Sequence, residues 1–62
     1  MLHCKVFQSR DILKLERIVN DWLLRQPIIL RDVQFSSVEH NETEEYWMVY
    51  TVIVFYEEMI AV

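Results

Sequence analysis

The chain has 62 residues, 53% of them hydrophobic, with one cysteine, no glycine and a formal net charge of −4. That length makes one domain, and a lone cysteine excludes an intramolecular disulfide. The negative balance argues against sequence-independent nucleic-acid binding, which needs clustered Lys and Arg to neutralise phosphates.

Leu2, Cys4 and Val6 alternate with His3, Lys5 and Phe7, the period of a half-buried strand, and this alternation turns Cys4 inward. Ser9 then offers an N-cap, with Asp11 in the first turn, where a negative charge suits the helix dipole. Ile12, Leu15, Ile18, Val19, Trp22 and Leu23 recur at steps that build one apolar stripe of a helix. Arg10, Lys14, Arg17, Asp21 and Arg25 fill the other side, and the spacings Arg17–Asp21 and Asp21–Arg25 permit ion pairs along it. Pro27 stops the helix because it pushes Gln26 out of the helical region.

Ile28 to Val38 reads as a second strand, with Val33 and Phe35 on one face and Gln34, Ser36 and Val38 on the other. The polar run from Glu39 to Glu45 bounds a hairpin. It contains no Asn-Gly or Asp-Gly pair, so a loop of roughly four residues or more is expected, with Asn41 in the left-handed position. Tyr46 to Tyr56, rich in β-branched and aromatic residues, is the strongest strand in the chain. Residues 57–62 read as a tail on this single 1–62 domain.

The third strand is apolar on both faces, as in the middle of a sheet covered on two sides. With it central, the first two strands flank it, and the fold is α+β: β-α-β-β, a split β-α-β with a right-handed crossover. The expected helix–sheet core is Ile18, Val19 and Trp22 against Phe35, Trp47, Val49, Ile53 and Phe55. The opposite face, Tyr46, Met48, Tyr50, Val52, Val54 and Tyr56, is then left for a second subunit. His3, Lys5, Gln34 and Ser36 would form its polar rim, since interface centres favour Tyr and Met over charged residues. A domain this small buries only about 60% of its unfolded surface. A partner copy, most simply in a dimer, is the expected supplement.

The charges are sorted along the chain. All six basic residues lie at or before Arg31, where the sum is +3, and the remainder carries −7. Solvated faces explain this; so does head-to-tail attraction between subunits.

Catalytic and cofactor chemistry finds little to stand on. Without glycine there is no phosphate-cradling loop. Cys4 reads as an ordinary buried thiol, and His3 and His40 are too far apart in sequence to match a zinc-ligand spacing. Glu42, Glu44 and Glu45, like Glu57 and Glu58, lack the cleft that general acid–base work needs and the pattern of a calcium loop. Tyr46, Tyr50, Tyr56 and Phe7 would offer bases a stacking platform, but glutamates surround them where such readers carry cations. The expectation is no enzyme, no cofactor, no metal, and neither nucleic acid nor membrane as partner. Tyr46 to Phe55 is too short for a span, and Met1 to Lys5 is no secretory leader, which points to the cytosol.

The order Lys5-Val6-Phe7, a helix ending Val19-Asn20-Asp21-Trp22-Leu23, then Asp32-Val33-Gln34-Phe35-Ser36 and Val52-Ile53-Val54-Phe55-Tyr56 resembles a known group. These are the very small sporulation-associated proteins of Bacillus-type bacteria and similar short phage proteins. The resemblance spans residues 5–56. It implies a cytoplasmic role in development or phage infection and brings no active site. Two functions are compatible with the sequence. One is an oligomeric accessory protein working through protein–protein contact. The other is a binder of a small ligand or nucleotide signal between subunits, lined by Tyr46, Met48, Tyr50 and His3, on which Lys5, Arg10 and Arg31 would converge.

Overall fold

The computed structural model describes residues 1–59. The elements run β1 (Leu2–Ser9), α1 (Ile12–Arg25), β2 (Ile28–Glu42) and β3 (Glu45–Glu58). They form one helix on a three-stranded antiparallel sheet of order β1-β3-β2, with β3 central as its composition demands.

Asp11, not Ser9, caps the helix. Its carboxylate accepts from the backbone N–H groups of Leu13 at 3.0 Å and Lys14 at 3.2 Å, while its own N–H donates to Ser9 Oγ at 3.1 Å. Asp11 thus satisfies two orphan donors of the helix start, and Ser9, two residues before it, satisfies the N–H of the cap itself. At the other end Gln26 turns to extended backbone before Pro27, and its N–H closes the last bond, to Trp22 O at 3.2 Å. The Arg17–Asp21 and Asp21–Arg25 spacings do not close into ion pairs; among the described residues the ion pair is Arg31–Glu57.

The helix lies on the face of β3 opposite to the one expected from sequence. The buried core is Phe7, Leu15, Val19 and Val54, with Trp22, Leu23, Tyr50, Val52 and Tyr56 packed against it. Trp22 accounts for the choice. It sits between Phe7 and Tyr56, edge to face with both at centroid distances of 5.5 and 5.1 Å, an arrangement that aromatic quadrupoles favour. Phe7, not Cys4, is therefore the inward residue of β1, and Cys4 is exposed. Ile18 and Phe35, expected in the core, are 40% and 56% exposed. The helix packs over β1 and β3 and leaves Leu30, Val33 and Phe35 of β2 open beside it.

The hairpin also departs from expectation. Strand pairing continues through the polar run to Glu42↔Glu45, so the loop is only Thr43-Glu44. The left-handed residue is Thr43, at φ 46°, and not Asn41. Because β1 pairs only with Tyr50 to Glu57, the stretch Val38–Glu42 with Glu45–Val49 projects as a bare two-stranded ribbon. The described molecule is consequently long, 56 × 20 × 11 Å, with a radius of gyration of 14.4 Å, against about 11 Å for a compact chain of this length. At the far end β3 includes Glu57 and Glu58, and Met59 N–H donates to Pro27 O at 2.9 Å. The rest of the expected tail, residues 60–62, lies outside the described residues.

Two outcomes follow. Leu15→Ala, at a site only 2% exposed, should cost about 2–5 kcal/mol. That is most of the stability of so small a domain, so chemical denaturation should find it largely unfolded. Thr43→Asn, which removes a β-branched side chain from left-handed backbone, should stabilise the hairpin by about 0.5–1 kcal/mol. An unchanged melting temperature would show that the turn is not strained.

Candidate functional site: the open face of the sheet

Direct cross-strand partners share a face, so the register defines what lies opposite the helix. Along β3 this face carries Trp47, Val49, Thr51, Ile53 and Phe55. Leu2, Cys4, Val6 and Gln8 flank it on β1, and Asp32, Gln34, Ser36, Val38 and His40 on β2. No element of the described chain covers it. Leu2, Val6 and Val38 are each more than half exposed, and the residues of β3 stand between their neighbours in the sheet, with the Arg10 guanidinium over Trp47.

The face is apolar along β3 apart from Thr51, mostly apolar along β1 and mostly polar along β2. Trp47 is held flat between His40, stacked at 5.3 Å with the rings 6° apart, and the Arg10 guanidinium, 4.7 Å from the ring centroid. Such cation–π and stacking contacts fix a large ring in place without burying it. Gln8 Nε2 donates to Thr51 Oγ1 at 3.2 Å across β1 and β3. At the other end a bulge between Leu30 and Asp32 gives β2 one residue more than β3. The extra residue, Arg31, reaches Glu57, its Nε donating to Oε2 at 3.0 Å and its Nη2 to the same oxygen. That hydrogen bond, and then the guanidinium charge, hold the Glu57 carboxyl below its usual range.

Dimensions matter for what such a surface can do. Three strands make a strip about 15 Å wide and, along the eight residues of β1, about 27 Å long; the ribbon adds a narrower extension. The whole is about 600 Å² per copy. Two copies would bury about 1,200 Å², the lower edge of a standard specific interface.

The residues expected at the subunit interface are thus redistributed. Tyr50, Val52, Val54 and Tyr56 lie under the helix, with Val54 fully buried and unable to meet a partner. His3 stacks on Tyr56 at 5.4 Å, and Lys5 sits 5.8 Å above the Phe7 ring. Tyr46 and Met48 share that side of β3 but stand beyond the helix on the ribbon, where Tyr46 OH donates to Met48 Sδ at 3.5 Å. Gln34 and Ser36, expected as their rim, belong to the open face. Trp47, Val49, Ile53 and Phe55, expected in the core, form its centre. The uncharged polar residues were the readable signal: Thr51 breaks the apolar run on this side, and Gln8 and Ser36 are its cross-strand partners.

The three cations suggested for a ligand do not meet on one chain. Lys5 lies over Phe7, Arg10 on Trp47 across the sheet, and Arg31 on Glu57. His3 and His40 pair with Tyr56 and Trp47, about 30 Å apart along β3. Among the described residues no group of three or more His, Cys, Asp or Glu stands close enough to hold a metal ion, and no helix is long and apolar enough to cross a membrane. No family model, curated protein or solved structure matches this chain.

The ion pair gives a direct pH test. A carboxyl whose folded value is lowered adds stability above its unfolded value, and that contribution is lost as pH falls through the folded value. Arg31→Gln should raise the Glu57 midpoint in a carbon-detected NMR titration and move the onset of acid unfolding to higher pH. An unmoved midpoint would mean that the bulge does not hold the pair in solution.

Proposed function

We propose that this is a small non-enzymatic accessory protein that self-associates and works through protein–protein contact, with the open sheet face as its principal contact. One observation carries the reading. The central strand is apolar on both sides, and the described residues supply a covering for one side only. The accessible surface is 5200 Å², against about 4,300 Å² for a folded monomer of 7.6 kDa. The excess is of the size that a partner removes. Aromatic residues at the centre, few charges and a polar rim are the composition of an interface. A second copy docked face to face would form a sheet-on-sheet sandwich with about 10 Å between layers. The resemblance to sporulation-associated and phage proteins supports a cytoplasmic role in development or infection.

Sedimentation at micromolar concentration should show more than one chain per particle. Val6→Lys with Val38→Lys should abolish the face-to-face contact, because both positions are about half exposed in the single chain (54% and 52%) yet would bury unpaired charges between sheets, so that any association left no longer shields Cys4. Val33→Lys, on the helix side, should leave it intact. Cys4 offers a second readout, since a bulky maleimide should react more slowly as protein concentration rises. A wild-type chain that sediments as a monomer would remove the proposal.

A further inference from the structure

A separate surface lies between α1 and β1 on the helix side. It is an open cleft of ≈ 390 Å³ lined by Lys5, Phe7, Ile18, Asp21, Trp22 and Arg25, with Gln26 at its end. Its floor is aromatic, Phe7 and Trp22, and its lips carry the cations Lys5 and Arg25. Lys14 and Arg17 follow on the same flank of the helix, by its 100° advance per residue. Asp21 is the acidic residue among them. This flank is therefore basic, on a chain whose net charge is negative.

The projecting ribbon has the opposite chemistry. Between Val38 and Val49 it bears Glu39, Glu42, Glu44 and Glu45 and neither Lys nor Arg. Tyr46, 61% exposed, and Met48 lie on the helix side with Glu39, the partner of Met48 in register, while Glu42 and Glu45 pair on the other side of the ribbon and Glu44 stands in the turn between them. The ribbon tip thus presents an aromatic ring next to negative charge, which suits an aromatic floor between basic lips. The two cannot meet within one chain. Lys5 pairs opposite Val54 and Phe7 opposite Val52, so the cleft lies about 30 Å along β3 from the turn.

We infer that the acidic ribbon tip of one copy docks in the basic cleft between α1 and β1 of another. This contact rests on the self-association proposed above but uses different residues from the open face. It is head to tail: each chain offers a ribbon at one end and a cleft towards the other, so contacts of this kind extend an assembly or close it into a ring. The carboxylates steer the approach and set the register, and Tyr46 against Trp22 and Ile18 supplies the apolar part.

Charge reversal with mixing tests the pairing. One variant carries Lys5→Glu and Arg25→Glu in the cleft; the other carries Glu42→Lys, Glu44→Lys and Glu45→Lys on the ribbon. Both are made on the Val6→Lys, Val38→Lys background, which removes the face-to-face contact, and circular dichroism checks that each folds. That background protein with neither reversal should still associate at low salt. The association should weaken at ~1 M salt, where the Debye length falls to about 3 Å. Each reversed variant alone sets like charges against each other and should sediment as a monomer. An equimolar mixture restores opposite charges and should associate at least about tenfold more tightly than either alone. If the folded variants do not associate on mixing, or if the background protein is monomeric at low salt, the inference is overturned. Loss of the face-to-face contact alone would leave it standing.

Discussion

The third strand has apolar side chains on both of its faces, and among the described residues there is a single helix with which to cover them. Every other feature accommodates that imbalance. The helix takes the side where Trp22 can lodge between Phe7 and Tyr56, and it leans towards β1, so that even its own side of the sheet is covered only in part. Among the described residues no element lies over the far side, where Arg10 alone reaches across Trp47. A strand of this composition in a larger protein would have layers above and below; here the described chain supplies one of the two.

The order of elements was legible because each signal is local: alternation in β1, a stripe at helical spacing, Pro27 as a stop, and the β-branched, aromatic run of β3. The placement of β3 at the centre was legible for the same reason, since only a central strand tolerates apolar residues on both sides. Which side the helix would choose was not. Period-two patterning separates two faces without ranking them, and both sides of β3 are rich in large apolar groups. The decision lies in an aromatic cluster joining residues far apart in sequence, Phe7, Trp22 and Tyr56. Thr51, with Gln8 and Ser36 in register beside it, marked the wetter side, but the marking becomes visible only once the register is known. The turn departs from its sequence signals for a different reason. Glutamates and Asn41 look like loop residues by propensity, yet pairing in a two-stranded ribbon leaves their side chains in water and costs little. The cap moved by two residues because Ser9 and Asp11 both have oxygens fit for the task, and the chain uses each for a different N–H group.

The polar residues of this protein are sorted more than they are paired. Arg31 and Glu57 form a close ion pair at the bulge, Arg10 rests on an indole ring, and the remaining carboxylates of the ribbon stand together in water. Surface pairs of this kind contribute little to a fold. Their arrangement has more bearing on what approaches the molecule, and from which end, than on how firmly it holds together. The open face, by contrast, carries its charges, Arg10, Asp32, Glu57 and the Glu42–Glu45 pair, around an apolar middle. Charge and apolar surface are thus concentrated in different parts of one small chain.

The strand order also has a consequence for how the chain reaches this shape. The β2–β3 hairpin closes through a two-residue turn, so its contacts are local and form early. The first strand has no such neighbour. Its partner along the whole of its length is β3, and Phe7 meets Val52 only after the chain has looped back across more than forty intervening residues. Closing that loop is entropically costly, and structures governed by such pairings assemble slowly. Until it closes, the hairpin presents two greasy sides and the helix has no floor to lie on. The interval between hairpin and finished sheet is therefore when this protein is most exposed to misassembly, and the acidic ribbon is well placed to keep unfinished copies apart.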